Sequence, residues 1–122
     1  MARVLIAEDD PDIRALVARR VAQLGHDVVE ALDGQAALDI ALADDVDLAV
    51  LDWMMPVRTG LEVCRAIRAD ARVGRMKIVM LTAKAHDDDL ARAFSAGADD
   101  YVIKPFRAAD LQQRLSVLLD AR

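Results

Sequence analysis

Five short apolar runs alternate with longer segments in which apolar residues recur at helical spacing. Such runs are typical of parallel strands, which helices cover on both faces. The alternation therefore predicts five βα units, (βα)5, in an α/β doubly wound fold around one parallel sheet. The runs are Val4 to Ile6, Asp27 to Glu30, Leu48 to Leu51, Ile78 to Leu81, and Tyr101 to Ile103.

The segments between these runs carry signals that begin and end helices. Asp10 and Pro11 suit the N-cap and first position of a helix, and Gly25 ends that helix. Three acidic residues begin the fourth helix, and Gly97 stops it. The other predicted helices run from about Gly34 to Ala43, from about Gly60 to Ala69, and through Leu111, Leu115 and Leu118.

Length and composition narrow the class of protein. The 122 residues fit one domain, 1–122, and 55% hydrophobic with 30% charged residues indicates a globular chain. The net charge of -5 and the lack of a basic arm argue against direct nucleic-acid binding. The N-terminal apolar run is too short for a signal peptide or a membrane span, so we expect a cytoplasmic protein. The single cysteine, Cys64, cannot form an intramolecular disulfide and is predicted to pack in the core.

Polar residues follow four of the five apolar runs. These residues are Glu8 and Asp9 after the first run, Asp52 after the third, Thr82 after the fourth, and Lys104 after the last. Each by itself reads as a strand terminator that enters a solvated loop. Together they converge on the carboxyl edge of a parallel sheet, where carboxylates that repel one another need a cation. An all-oxygen set with no nearby His or Cys suits Mg²⁺.

The residue types at this edge favour phosphoryl transfer. An ammonium group at Lys104 and a hydroxyl at Thr82 are suited to the oxygens of a transferred phosphoryl group. Asp52 is the best nucleophile available, because neither His26 nor His86 has a partner for Ser-His or Cys-His chemistry. Both histidines are predicted to lie in surface loops.

Sequence blocks along almost the whole chain resemble the response-regulator receiver family. The blocks are EDD at 8–10, LDWMMP at 51–56 followed by GLEVCRAIR, LTA at 81–83, and GADDYVIKPF at 97–106. The resemblance implies a flavodoxin-like sheet with strand order 2-1-3-4-5. It also implies that Asp52 accepts a phosphoryl group from a sensor histidine kinase or a phosphotransfer protein. Such a switch assists its own phosphorylation and dephosphorylation and is not an enzyme in the usual sense.

The resemblance further assigns roles to the residues at the sheet edge. Glu8, Asp9, Asp52 and the backbone carbonyl of Met54 would hold Mg²⁺ directly or through water. Lys104 would pair with the phosphoryl charge. These assignments follow from matching positions in the family motifs.

Four further positions resemble those that control signalling in receivers. Thr82 and Tyr101 correspond to a switch pair, in which the hydroxyl moves toward the phosphoryl group and the ring turns inward. Met54 and Lys84 flank the approach of water, so they would set the lifetime of the phosphoprotein. Pro105 matches the position of the family's cis peptide bond.

The local motifs are most similar to receivers of winged-helix transcription factors, which pair through the last two helices and the last strand. The resemblance therefore offers one partner, a second copy of the chain that pairs through this face on phosphorylation, although the match to the face is partial. The charged residues that resemble this face are Asp99, Asp100, Asp110 and Arg114, whereas Leu90 and Ser116 stand where basic residues are usual. The sequence does not identify the output partner or fused output domain, and we expect no membrane association.

Two alternatives stay open at this point. A Mg²⁺-dependent phosphatase of the haloacid-dehalogenase type also uses a strand-end aspartate, but it has a second acid where this chain has Met54. The other alternative is a receiver-like interaction module that is never phosphorylated. The complete set of acids, Thr82 and Lys104 argues against that reading.

Overall fold

A computed structural model describes residues 1–120 of the protein. Five parallel strands form one sheet in the order β2-β1-β3-β4-β5, which confirms the predicted topology. The strands are β1 (Arg3–Ala7), β2 (Asp27–Ala31), β3 (Leu48–Asp52), β4 (Lys77–Thr82) and β5 (Asp100–Ile103). The helices are α1 (Pro11–Gln23), α2 (Gly34–Ala43), α3 (Gly60–Ala69), α4 (Asp87–Ser95) and α5 (Ala108–Asp120). Positions 121 and 122 of the predicted domain lie outside the described residues.

The observed strands extend beyond the apolar runs by one or two residues. Asp52 still pairs with Leu81 across the β3–β4 ladder, and Thr82 pairs with Ile103 across the β4–β5 ladder. A polar residue can end a strand because ladder pairing depends on the backbone, whereas the apolar run marks only the buried part. As a result, functional side chains are held by the sheet itself.

Helices cover both faces of the sheet. Alternate residues of each central strand point to opposite faces, so Leu5 packs in one core and Ile6 in the other. One core includes Ile67 of α3, and the other includes Val17 of α1 and Leu111 of α5. This two-sided burial explains why β1, β3 and β4 are read in the sequence as continuous apolar runs.

The helix ends follow the predicted capping chemistry. The Asp10 side chain accepts hydrogen bonds from the backbone N–H groups of the next turn, and Gly25 and Gly97 have positive φ angles of 88° and 109°. Helix α3 has a reciprocal capping box, in which Thr59 and Glu62 each accept a hydrogen bond from the other's backbone N–H. This box was not predicted, although the T-x-x-E spacing is a recognisable signal for it.

The single cysteine and the character of the helices were both predicted from the sequence. Cys64 is fully buried and its thiol donates a hydrogen bond to the Ala96 carbonyl at 3.4 Å, and burial raises its pKa to about 11. A thiol in that state packs as a small apolar group, as predicted. Within residues 1–120, no helix has the length and apolar character needed to cross a membrane.

Candidate functional site

A cleft of about 540 Å³ lies at the carboxyl edge of the sheet. Its lining includes six of the eight predicted site residues, namely Glu8, Asp9, Asp52, Met54, Thr82 and Lys104. Asp52 and Thr82 are the last residues of β3 and β4, while the others directly follow a strand or lie in the loop after β3. Four neighbouring strands therefore place chemistry-bearing groups around one small space.

Three carboxylates crowd together inside this cleft. One oxygen from each of Glu8, Asp9 and Asp52 lies within 4.8 Å of the others, and no other such group of potential metal ligands occurs in residues 1–120. Glu8 and Asp52 are buried, whereas Asp9 is exposed. Burial, followed by the hydrogen bond and negative charge of Glu8, raises the pKa of Asp52 from 3.8 to about 7. The cleft therefore disfavours negative charge at Asp52.

Lys104 is the cation that faces these acids. Its Nζ lies 2.6 Å from Glu8 Oε1 and 3.4 Å from Asp52 Oδ1. Burial alone lowers the pKa of Lys104, but the contacts with Glu8 and Asp52 outweigh burial, so the net pKa is raised. Lysine is therefore held in its charged form, although one ammonium offsets only part of the charge of three carboxylates.

The donor set fits Mg²⁺. Glu8 Oε1 is buried and has no hydrogen bond of acceptable direction within residues 1–120, so the approach of Lys104 is a charge contact. Two buried carboxylates, one exposed carboxylate and a nearby loop backbone offer the hard oxygen ligands that Mg²⁺ prefers. The N–H of Met54 donates to Asp52 Oδ1 at 3.3 Å, which ties that loop to the acid cluster.

Thr82, Lys84 and Tyr101 form a hydrogen-bonded chain beside the cleft. Thr82 is fully buried and its hydroxyl oxygen accepts a hydrogen bond from the Lys84 N–H at 3.2 Å. The hydroxyl of Tyr101 donates to the Lys84 carbonyl, and the Tyr101 side chain is buried. Burial, with the negative charge of Asp89 as a further cause, raises the pKa of Tyr101. Neither Lys84 nor Tyr101 lines the cleft itself.

The side chain next to Asp52, Trp53, lies among cationic and aromatic groups. Lys84 Nζ and the Arg92 guanidinium carbon each lie 5.3 Å from the centre of the indole ring, and the Tyr101 ring meets it edge-on at 6.4 Å. The ammonium of Lys84 therefore contacts an aromatic face here instead of the acid cleft. No sequence pattern indicates this cluster, because its four members come from different segments of the chain.

Two acids of the predicted pairing face make contacts inside the chain. Asp99 Oδ2 accepts hydrogen bonds from Arg68 Nη2 and from the Ile78 N–H, each at 2.8 Å. Asp100 pairs with Arg114 Nη1 at 2.8 Å. Asp99 therefore supports the start of β4 and is engaged within the protomer.

Comparison with known proteins decides the family. The family model described as the response regulator receiver domain matches residues 4–116. The chain belongs to the response regulator receiver family. Receivers are phosphoacceptor switches of two-component systems, and the family match favours that function over the phosphatase alternative. This chain also has Met54 where such a phosphatase has its second acid.

Similar proteins include regulators about twice as long as this chain and one of nearly the same length. The DNA-binding dual master transcriptional regulator RpaA of Synechocystis is 39% identical over 119 residues, which cover 98% of this chain and 49% of that protein. The chemotaxis protein CheY of Pseudomonas aeruginosa is 34% identical over 119 residues and is covered to 96%. The chain thus spans about half the length of regulators such as RpaA and nearly all of CheY.

Solved structures support the same assignment. The receiver domain of the Francisella response regulator 1452 matches with a TM-score of 0.92 and 28% identity, over 99% of this chain and 98% of that one.

Proposed function

We propose that Asp52 of this receiver accepts a phosphoryl group from the phosphohistidine of a sensor histidine kinase or phosphotransfer protein, with Mg²⁺ bound beside it. The observation that carries the proposal is the set of three carboxylates within 4.8 Å, with Lys104 reaching both Glu8 and Asp52. A cluster of this kind is costly without a cation, so its presence at the strand ends favours a binding role over a purely structural one.

Asp52 is placed to act as the nucleophile. One carboxylate oxygen of Asp52 attacks phosphorus, the P–N bond of phosphohistidine breaks, and its electron pair stays on the imidazole of the donor. The Lys104 ammonium can stay within reach of Asp52, where it offsets charge on the phosphoryl oxygens. Thr82, at the end of the adjacent strand, supplies a hydroxyl for another of these oxygens. The chain in this way assists both its own phosphorylation and the later hydrolysis.

Glu8, Asp9, Asp52 and the Met54 carbonyl would hold the metal. When bound, Mg²⁺ neutralises the acids and stabilises charge on the transferred phosphoryl group. Asp52 is then ionised at neutral pH despite its raised pKa, because a nearby cation favours the carboxylate. We therefore expect phosphorylation of Asp52 to depend on Mg²⁺.

Thr82 and Tyr101 would transmit the change. The Lys84 backbone joins them, since its N–H donates to Thr82 and its carbonyl accepts from Tyr101. Movement of the Thr82 hydroxyl toward a phosphoryl group breaks the first of these bonds and frees the loop that holds the second. The output is then read on the face formed by α4, β5 and α5, by a homodimer or by another partner of the cytoplasmic signalling pathway. The Asp100–Arg114 pair within the protomer would have to open for either residue to pair across a dimer.

The proposal is tested by incubating the protein, as one domain over 1–122, with acetyl phosphate and Mg²⁺ and measuring its intact mass. We expect the mass of one added phosphoryl group in the wild type and none in Asp52→Asn. Asp9→Asn should need more Mg²⁺ for the same rate, because a ligand is lost but the acceptor is intact.

Trp53 gives an independent measurement of metal binding. Its backbone N–H donates to the Leu81 carbonyl, and it directly follows Asp52, so its emission should change saturably with Mg²⁺.

Labelling of Asp52→Asn at the wild-type stoichiometry would place the acceptor elsewhere. A wild type that binds Mg²⁺ but never gains mass would instead identify an unphosphorylated interaction module.

A further inference from the structure

Arg14 of α1 holds the backbone of the acidic loop after β1. Its Nη1 donates to the Glu8 carbonyl at 2.9 Å, and its Nε lies 3.2 Å from Glu30 Oε1 on β2. The Arg14 side chain is only 17% exposed, so the guanidinium is fixed between two strands and does not move freely in water. None of these atoms belongs to the predicted metal ligands or the phosphoryl contacts.

The Glu8 carbonyl occupies a decisive place in this loop. It belongs to the peptide group that joins Glu8 to Asp9, and a peptide group is planar. Fixing the direction of this carbonyl therefore fixes the plane from which the Asp9 residue continues. The Glu8 N–H donates to the Ala31 carbonyl at 3.3 Å, and Glu8 Oε2 accepts from the Asp10 N–H at 3.1 Å. These two hydrogen bonds involve the N–H and the side chain of Glu8, and Arg14 provides the hydrogen bond to its carbonyl.

We infer that Arg14 is a positioning residue for the divalent-cation site, and that Glu30 in turn holds the guanidinium in place. The inference rests on the proposed function, since it assigns to Arg14 the orientation of the Glu8–Asp9 peptide for Mg²⁺ binding. Hydrogen bonds of this outer kind orient first ligands, and their removal usually weakens metal binding by about 10- to 100-fold.

Electrostatics alone predicts that Mg²⁺ binds more tightly when Arg14 is removed. Arg14 is a positive charge near an acidic cleft, so its removal should make the site more attractive to a cation. A positioning role predicts weaker binding when the guanidinium is removed. A merely structural role in packing α1 on the sheet predicts a lower melting temperature with no change in Mg²⁺ affinity. The three interpretations therefore predict a higher, a lower and an unchanged affinity for Mg²⁺.

The experiment compares Arg14→Met, Arg14→Lys and Glu30→Gln with the wild type. Methionine keeps much of the apolar stem, lysine keeps the charge, and Arg19→Met removes an equal charge from an exposed position on the same helix. Mg²⁺ is titrated against Trp53 emission and against the rate of phosphorylation by acetyl phosphate. We expect the half-saturating Mg²⁺ of Arg14→Met to rise about tenfold, and those of Arg14→Lys and Glu30→Gln to rise less.

The rate at saturating Mg²⁺ should match the wild type in all four variants, because none of them alters Asp52 or Lys104. Arg19→Met should keep the wild-type midpoint. An unchanged or lower midpoint in Arg14→Met would overturn the inference while leaving the proposed function standing. Should that variant fail to fold, wild-type midpoints in both Arg14→Lys and Glu30→Gln would overturn it equally. A wild type without any saturable Mg²⁺ response would refute the proposed function and the inference with it.

Discussion

Replacement of Asp52 by asparagine should stabilise the metal-free protein at alkaline pH. Asparagine keeps the shape of the side chain and removes its charge. Burial and the adjacent Glu8 raise the pKa of Asp52 from 3.8 to about 7, so the folded protein holds this proton more tightly than the unfolded chain does. The free energy of unfolding that Asp52 contributes is therefore largest below about pH 4 and is lost as pH rises to about 7.

The size of the effect can be bounded from the structure. A rise of about three pKa units corresponds to at most ~4 kcal/mol between the two protonation states. The cleft is open to water at the exposed Asp9, and the variant also loses the contact between Asp52 and Lys104 at 3.4 Å. Solvent screening and this lost contact reduce the gain, so we expect about 2 kcal/mol at pH 8. For a domain of this size, that raises the melting temperature by roughly 8 °C.

The assay is thermal unfolding of both proteins by circular dichroism in a chelating buffer, at a series of pH values from about 4 to about 8.5. The difference in stability should grow through about pH 7 and level off above it, as the ionisation of Asp52 becomes complete. Added Mg²⁺ should stabilise the wild type more than the variant and so reduce the difference, since it binds the folded state. A difference that does not vary with pH, or an asparagine variant that melts lower at pH 8, would refute the reasoning.

Three further predictions concern other parts of the chain. Val57→Gly should raise the free energy of unfolding by about 1 kcal/mol in urea, because Val57 is exposed and β-branched at a φ of 73°; an unchanged midpoint would mean that the loop relaxes without strain. Arg68→Met should cost about 3 kcal/mol in the same assay, because its guanidinium binds the Gly97 and Gly74 carbonyls at 2.9 Å and Asp99. The substitution of Met54 by Asn together with Lys84→Glu should speed loss of phosphate after donor removal, because both new side chains can accept a hydrogen bond from water; equal decay would show that these positions do not set the lifetime.

The polar residues at the strand ends can be predicted from the sequence because their positions depend on the local order of residues along the chain. Asp52 and Thr82 follow apolar runs directly, and parallel strands must bring their carboxyl ends to one edge. The sequence therefore predicts the polar residues of the cleft that follow strands, although it does not predict the whole lining. The predicted helix bounds at Gly34, Ala43, Gly60 and Ala69 also agree with the structure, because caps and glycines act within a few residues.

Contacts between distant segments cannot be predicted from the sequence in the same way. Arg14 contacts Glu8 in the loop after β1 and Glu30 on β2, and its position in α1 looks like any polar site on a helix. The resemblance to receivers predicts that Lys84 flanks the approach of water to the phosphoryl site, yet its ammonium lies over Trp53. A long side chain can reach several neighbours, and only the packed structure decides which one it meets.

The sequence by itself determined the order of elements and the edge of the sheet at which carboxylate, hydroxyl and ammonium groups meet. These depend on periodicity and on the chemical nature of residues at strand ends. The tertiary structure decided that Glu8 and Asp52 are buried together, that Lys104 reaches both, and that Asp99 is engaged with Arg68. Burial and the distance between charges set the pKa of Asp52, and both quantities exist only once four strands and their loops have packed around the cleft.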